Sequence, residues 1–287
     1  MIVLTDRGAD LSPQQLAGLE IHFTPLTITL DGRSYVSGVD IQPEQLYTLL
    51  AATESMPTTS LPSPGEFVTL YRELAKRDRE ILSVHISSGL SGTCQTALEA
   101  AKMVPEAHVS VFDTFTLSGA EGWQVEAAAR AAKAGWSVDR IRALLTRVKD
   151  ATETIFTLPE LRYLIHGGRI SHIKGLLASI LNIKPIIGVN KQDGKYYQRG
   201  QARSFSRAMA KLVSVAAEDH APGTRLRVQV MHTNNPDGAE QLRRMLEAEF
   251  ECDWLPPTSV APVLGAHTGA GLVGIVYAAQ AEFPELP

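Results

Sequence analysis

Four short segments carry side chains that can hold or transfer charge, and each is shaped by glycine or proline. They are residues 58–63, 87–93, 167–169 and 265–269, which together supply hydroxyls, a guanidinium and an imidazole. Hydroxyl and guanidinium groups donate hydrogen bonds to anions. None of the four segments offers a carboxylate suited to a general base. The combination therefore favours holding an anion over breaking a bond.

Residues 87–93 form the loop from which this interpretation starts. An apolar, β-branched strand over 81–86 precedes the loop, and an alanine-rich helix over 96–102 follows it. A loop that ends at a helix N-terminus presents unpaired N–H groups and partial positive charge, and such places bind anions. Gly89 and Gly92 allow close approach of a ligand, while hydroxyls come from Ser87, Ser88, Ser91 and Thr93. The alternative is an ordinary helix start with Ser91 as N-cap.

Two further residues fit an anion site, and each has a purely structural alternative. Arg169 follows two glycines and could make paired hydrogen bonds to a carboxylate or phosphate, or be an exposed turn arginine. His267 stands in a predicted glycine-rich turn and could be a donor, a general base or a structural histidine. The remaining histidines lack metal-ligand spacing, so we expect no metal site. A Ser–His hydrolase is disfavoured because Thr93 replaces the last glycine of the G-x-S-x-G pattern around Ser91.

Composition limits the class of protein. The 287 residues, 44% hydrophobic and 20% charged, predict an ordinary globular chain with two domains. With 27 basic and 31 acidic residues the net charge is −4, which argues against nucleic acid as the main partner. Cys94 and Cys252 match neither a metal site nor a redox pair. Neither a secretory signal nor an apolar run near the ~18 residues of a membrane span is present. We therefore expect a cytoplasmic protein.

The predicted elements suggest an α/β fold with two domains. Strands alternate with helices up to residue 150, as in a Rossmann-like parallel sheet flanked by helices. From residue 151 the pattern predicts an α/β domain with a mixed or antiparallel sheet. The predicted domains span residues 1–155 and 156–287, with a ligand cleft between them. We also expect Asp40 to cap a helix over 41–50, residues 56–64 to lack regular structure, and a helix over 176–180. The apolar run 176–181 could line an acyl tunnel or belong to the core.

The four segments, taken with three further phrases, resemble the DegV family of bacterial fatty-acid-binding proteins. The phrases occur in the family's order along nearly the whole chain. Each phrase alone is a weak signal for the family, but all seven in this order are a strong one. They are residues 5–6, 59–63, 87–93, 161–170, 181–186, 202–204 and 265–269.

The resemblance implies two α/β domains with a long-chain fatty acid, such as palmitate, stearate or oleate, buried between them. It implies that Thr59, Ser91 and Gly92 hold the carboxylate, with Arg169, Arg203 and His267 near the head group or a partner surface. It further implies a carrier rather than an enzyme, without a cofactor. Some family members present the acid to a separate fatty acid kinase, which makes an acyl phosphate for phospholipid synthesis; transient membrane contact is compatible with this role.

Two other functions stay open at this point. One is a phosphotransferase or ketose-kinase-like enzyme that uses the 87–93 loop for phosphate, and the other is a lipid-binding regulator. The sequence also departs from the family pattern at Arg7, Gly8, Cys94 and Ala270. Because Arg7 and Gly8 are expected near the site, we expect these two departures to bear on the acyl-chain preference.

Overall fold

A computed structural model describes residues 1–172 and 183–287 of the chain. Its N-terminal half contains a parallel sheet and a small antiparallel sheet, with helices packed against them. The elements are β1 (Ile2–Asp6), α1 (Pro13–Leu16), β2 (Ile21–Thr24), β3 (Thr27–Leu30), β4 (Arg33–Val36), α2 (Pro43–Ala52), β5 (Thr58–Ser60), α3 (Pro64–Ala75), β6 (Glu80–His85), α4 (Thr93–Lys102), β7 (His108–Asp113), α5 (Ser118–Lys133) and α6 (Val138–Ala151).

The C-terminal half is built on one larger sheet. Its elements are β8 (Glu153–Thr157), α7 (Arg162–His166), a 3-10 helix (Arg169–His172), β9 (Lys184–Val189), β10 (Tyr196–Ala202), α8 (Phe205–Asp219), β11 (Arg225–His232), α9 (Pro236–Glu247), β12 (Glu251–Trp254), β13 (Thr258–Ser259), α10 (Pro262–Thr268) and β14 (Val273–Ala279). No helix among the described residues combines the length and apolarity that a membrane crossing requires.

The first sheet has the order β2-β1-β6-β7 with every pairing parallel. All five residues of β1 and five of the six in β6 are buried, as expected for inner strands covered by helices on both faces. Helix α6 buries Ile141, Leu144, Leu145 and Val148, the spacing of one helical face. The α/β fold class predicted from the sequence is confirmed.

The Thr5-Asp6 phrase has a structural role at the end of β1. The buried carboxylate of Asp6 accepts hydrogen bonds from the N–H groups of Gly8 and Ile86 at 2.8 and 3.0 Å. The ring Nδ1 of His85 lies 3.0 Å from the same carboxylate. Asp6 therefore joins the ends of β1 and β6 within the parallel sheet.

The second sheet is mixed, as predicted, with the order β10-β9-β8-β14-β11-β12 and β13 also paired to β11. Strands β12 and β13 run parallel to β11, and the remaining pairs are antiparallel. The domain boundary at 155/156 stays a prediction. Strand β8, which crosses it, pairs with β9 and β14 of the second sheet.

Three local predictions were wrong. Residues 56–64 are not wholly irregular, because β5 pairs antiparallel with β3 despite the flanking prolines. Asp40 does not cap α2, whose N-cap is Gln42 before Pro43. Residues 265–268 belong to α10 rather than to a turn, because Pro262 starts a helix upstream of the glycines. The apolar run 176–181, predicted to be helical over 176–180, lies outside the described residues.

Polar contacts join the two halves. The carboxylate of Asp10 accepts the N–H of Ala261 at 2.8 Å, and burial raises the pKa of this acid to about 7. The amide of Gln229 donates to Gln15 at 3.2 Å and accepts from the indole of Trp123 at 2.7 Å. All these donors and acceptors are paired across the interface, which fixes the relative position of the two sheets.

Gly89 lies where the backbones of the two halves approach each other closely. A Cβ at this position would lie 2.4 Å from the carbonyl oxygen of Asp193 and 2.8 Å from the carbonyl carbon of Gly194. The hydroxyl of Ser87 also donates to the Gly194 carbonyl at 2.9 Å. Gly89 was expected to allow approach of a ligand. Instead it accommodates the turn between β9 and β10.

We therefore expect Gly89→Ala to lower the free energy of unfolding by roughly 1–3 kcal/mol, because the rigid backbone of the turn must move away. Urea denaturation measures this change. Gly65→Ala is the matched control, since a Cβ there meets only the Ser63 hydroxyl at 3.9 Å. Equal stability of the two variants would show that the turn does not pack on the loop as described.

Candidate functional site

A cavity of about 940 Å³, measured out to its open mouth, lies between the two halves of the chain. Most of the wall is apolar and comes from both halves, including Leu26, Ile86, Leu90, Leu117, Ile155, Phe156, Met231, Val260, Val263, Leu264, Leu272 and Ile275. Thr59, Ser60, Ser91, Arg169, His267 and Thr268 supply polar groups. The cavity is thus a mainly apolar slot with hydrogen-bond donors in its wall.

Thr59 and His267 meet across the interface between the halves. Thr59 lies on β5, where it pairs with Ile28 of β3, and His267 lies on α10. Their Oγ1 and Nε2 atoms are 2.8 Å apart. Residues 208 positions apart in the sequence therefore form one hydrogen-bonded unit in the cavity wall.

His267 is a neutral imidazole in this environment. Burial, with smaller contributions from Arg169 and His166, lowers its pKa to about 4. Within the described part of the chain, buried Nδ1 has no hydrogen-bond partner. A buried N–H without an acceptor is rarer than an unpaired acceptor, which favours the proton on Nε2. In that tautomer His267 donates to Thr59, and the Thr59 hydroxyl proton is left to donate to a ligand.

Ser91 is oriented in a similar way by Thr93. The two hydroxyl oxygens are 2.8 Å apart, and the N–H of Thr93 donates to Ser91 Oγ at 3.3 Å. Thr93 is fully buried, whereas Ser91 lines the cavity. When the Thr93 hydroxyl donates to Ser91, the Ser91 proton is free to donate into the cavity.

Gly92, not Ser91, is the N-cap of α4. Its N–H has no acceptor among residues 1–172 and 183–287, and a Cβ at this position would lie 3.2 Å from Leu61 Cδ2. Gly92 adjoins Ser91 but does not itself line the cavity. A third donor is therefore present beside the two hydroxyls.

Arg169 lines the cavity at the start of the 3-10 helix. Its guanidinium donates to the carbonyl of Leu90 at 3.3 Å and to that of Gly167 at 2.5 Å. A Cβ on Gly167 would lie 2.2 Å from His267 Nδ1, so glycine is required where the two segments meet. Two backbone carbonyls thus accept guanidinium N–H groups of Arg169, whose side chain is part of the cavity wall.

Arg203 lies elsewhere. It is exposed, immediately before Ser204, the N-cap of α8, and it is not part of the cavity wall. Arg7 and Gly8, expected near the site, do not line the cavity either; Arg7 stacks 4.4 Å above the ring of Phe23. Cys94 is buried outside this wall, where burial raises its thiol pKa to about 12. Roles in ligand binding for the six residues named from the sequence stay predictions.

Sequence reasoning missed the aromatic part of the wall. Phe156 on β8 and Tyr196 on β10 face the cavity edge to face, with ring centroids 5.4 Å apart. Burial raises the pKa of the Tyr196 phenol. The alternation of side chains along β8 is the signal that could have located Phe156. Phe156 packs with the core between the halves, whereas its neighbour Ile155 belongs to the core under α8 and α9.

Comparison with known proteins decides the family, since the DegV family model matches residues 1–280. The chain belongs to the DegV family. A DegV domain-containing protein of Staphylococcus aureus strain MRSA252 is 35% identical over 275 residues, covering 96% of this chain and 97% of that protein. Two solved DegV structures also match this fold. One is a Thermus thermophilus protein described by its fatty acid binding, with TM-score 0.87, 29% identity and coverage of 97% and 99%. The other is DegV from Bacillus subtilis, a fatty acid binding protein, with TM-score 0.87, 28% identity and the same coverage.

We expect NMR titration of His267 to give a midpoint near pH 4, because the buried ring is costly to protonate. Arg169→Met should raise this midpoint while leaving it below 6.5, since burial is the larger cause. Arg162→Met is the control, because that guanidinium stacks on Tyr163 and pairs with Glu160. A parent midpoint near 6.5 would mean that the ring is exposed to water.

Proposed function

We propose that this DegV protein binds a long-chain fatty acid, such as palmitate, stearate or oleate, in the slot between its halves. It then offers the carboxylate to a separate fatty acid kinase for acyl-phosphate formation. The observation that carries the proposal is the pairing of an apolar slot with hydroxyl donors oriented by Thr93 and His267. The fatty acid binding described for the Thermus thermophilus and Bacillus subtilis relatives supports it.

The tail supplies most of the affinity in this proposal. Burial of each methylene contributes about 0.8 kcal/mol, so ~14 methylenes contribute ~11 kcal/mol before ordering costs. Each hydrogen bond to the charged head contributes about 1.5–3 kcal/mol. Thr59, Ser91 and the Gly92 N–H then fix the orientation of the head, and neutral His267 keeps Thr59 in its donating state. Arg169 supplies positive charge nearby.

A carrier role is favoured over an enzyme that acts alone. The described wall of the cavity contains no aspartate or glutamate, so it offers neither a carboxylate base nor a carboxylate ligand for Mg²⁺. A partner must therefore bring the phosphate donor and its metal. Exposed Arg203 is the residue proposed for the partner surface. The cytoplasm, where the partner and nucleotide reside, is the proposed location.

Protein purified from a bacterial host should carry fatty acid that mass spectrometry of extracted lipids detects. In the delipidated protein, Thr59→Val combined with Ser91→Ala should weaken fatty acid binding roughly 100-fold, through loss of two hydrogen bonds to the carboxylate. The control is Thr29→Val with Ser34→Ala, which removes an exposed hydroxyl pair of the same chemistry. The proposal fails when neither extraction nor titration reveals a bound fatty acid.

Reconstitution with a fatty acid kinase, ATP and Mg²⁺ should produce acyl phosphate only when both proteins are present. Arg203→Ala should lower the rate and leave the dissociation constant for fatty acid unchanged, because Arg203 lies outside the cavity wall. Turnover by this chain alone would instead support the phosphotransferase, and lipid binding without any kinase coupling would support a regulator.

A further inference from the structure

A second, smaller chamber, with room for about one water-sized group, lies beside the main cavity at the interface of the two halves. Thr154 lines both spaces and is the residue that they share. The other walls of the chamber include Gln124 of α5, Thr152, and the lysines Lys149 and Lys191. The chamber is thus a mainly polar space that adjoins the slot at Thr154, whereas the wall of the slot is mainly apolar.

Strand β8 places this chamber away from the head-group donors. Thr157, at the end of β8, pairs with Val273, which follows α10 and its His267 closely in the chain. Thr154 pairs with Val276, three residues further along both strands. Three residues of strand span about 10 Å. A ligand held at Thr59 and His267 would reach Thr154 only by extending its chain in this direction.

Gln124 supplies an unused acceptor at the chamber. Its side chain is 1% exposed, and its Nε2 donates to the carbonyl of Thr114 at 3.2 Å. That hydrogen bond fixes the orientation of the side-chain amide and leaves Oε1 as the acceptor still to be paired. Oε1 has no hydrogen-bond partner among the described residues. A buried acceptor of this kind is costly unless a donor reaches it.

The charges around the chamber are balanced. Lys191 lies 2.5 Å from Glu153 Oε1 and donates to the Asp150 carbonyl at 2.7 Å. Lys149 lies 3.4 Å from the Asp150 carboxylate and 5.3 Å from the centre of the Phe115 ring. Because both lysines already have carboxylate neighbours, a carboxylate on a ligand would gain little binding free energy there. A neutral group that both donates and accepts fits the chamber better.

We propose that the chamber at Gln124 and Thr154 is a polar subsite for a hydroxyl carried on the distal half of the acyl chain. The ligand hydroxyl donates to Gln124 Oε1 and accepts from the Thr154 hydroxyl. This inference rests on the proposed binding of a fatty acid, and it adds hydroxylated fatty acids to the ligand class.

The test compares hexadecanoic acid with its monohydroxy isomers, carrying the hydroxyl on carbons 9 to 16, by titration of delipidated protein. In an apolar tunnel each buried hydroxyl weakens binding about 10-fold or more. We expect one position to bind at least as tightly as hexadecanoic acid. If every isomer binds more weakly while hexadecanoic acid still binds, the subsite is refuted and the proposed function stands. If no acid binds, the proposed function itself fails.

Two variants assign the effect to the chamber. Gln124→Met should weaken binding of the best isomer about 10-fold and change binding of hexadecanoic acid less than 2-fold. Thr154→Val, in the wall of both spaces, should lower the preference for the best isomer over hexadecanoic acid about 10-fold. Thr157→Val is the matched control, because Thr157 lies on the same strand, is buried and lines neither space. An equal loss in the Thr157 variant, or no loss in the chamber variants, would overturn the assignment.

Discussion

The hydrogen bond between Thr59 and His267 is the contact on which the site depends. It joins an edge strand of the small sheet to a helix of the C-terminal half, so the hydrogen bond that orients Thr59 requires both halves to be docked. Burial keeps the imidazole neutral, and the unpaired Nδ1 favours the tautomer that donates to Thr59. The environment of one ring thus determines whether the Thr59 hydroxyl proton is free to donate into the slot.

Close backbone packing supports this arrangement from two sides. Gly89 accepts the turn between β9 and β10, and Gly167 lets the arginine segment pass against His267. Glycines in a hydroxyl-rich loop are easily interpreted as ligand contacts. Close approach of a ligand and close approach of another backbone segment both need the absence of a Cβ. Here Gly89 serves the interface between the halves, which in turn positions the donors. The packing that docks the two halves therefore also positions the donors in the cavity wall.

Local signals in the sequence predicted the parallel sheet, the mixed sheet and the polar segments that meet in the slot. Of the mispredicted features, the start of α2 and the helix at residues 265–268 follow from local prolines, whereas the strand at 58–60 depends on a long-range contact. Residues 58–60 form a strand because β3 offers a free edge, and no pattern within the segment reveals that partner. The place of Phe156 and Tyr196 in the wall likewise depends on the pairing of distant strands. Arg203 came from family resemblance alone, which left open a place near the head group or on a partner surface; the residue is exposed and lies outside the described wall.

The slot can also be regarded as an unfilled part of the hydrophobic core. Its apolar wall comes from both sheets, and voids lined in this way lower stability in proportion to their volume. An acyl chain would complete that core, so occupancy and resistance to unfolding rise together. Because proteases attack the opened state, the empty form would be degraded faster than the loaded form. The cellular abundance of the protein would then follow the supply of its lipid without any dedicated control.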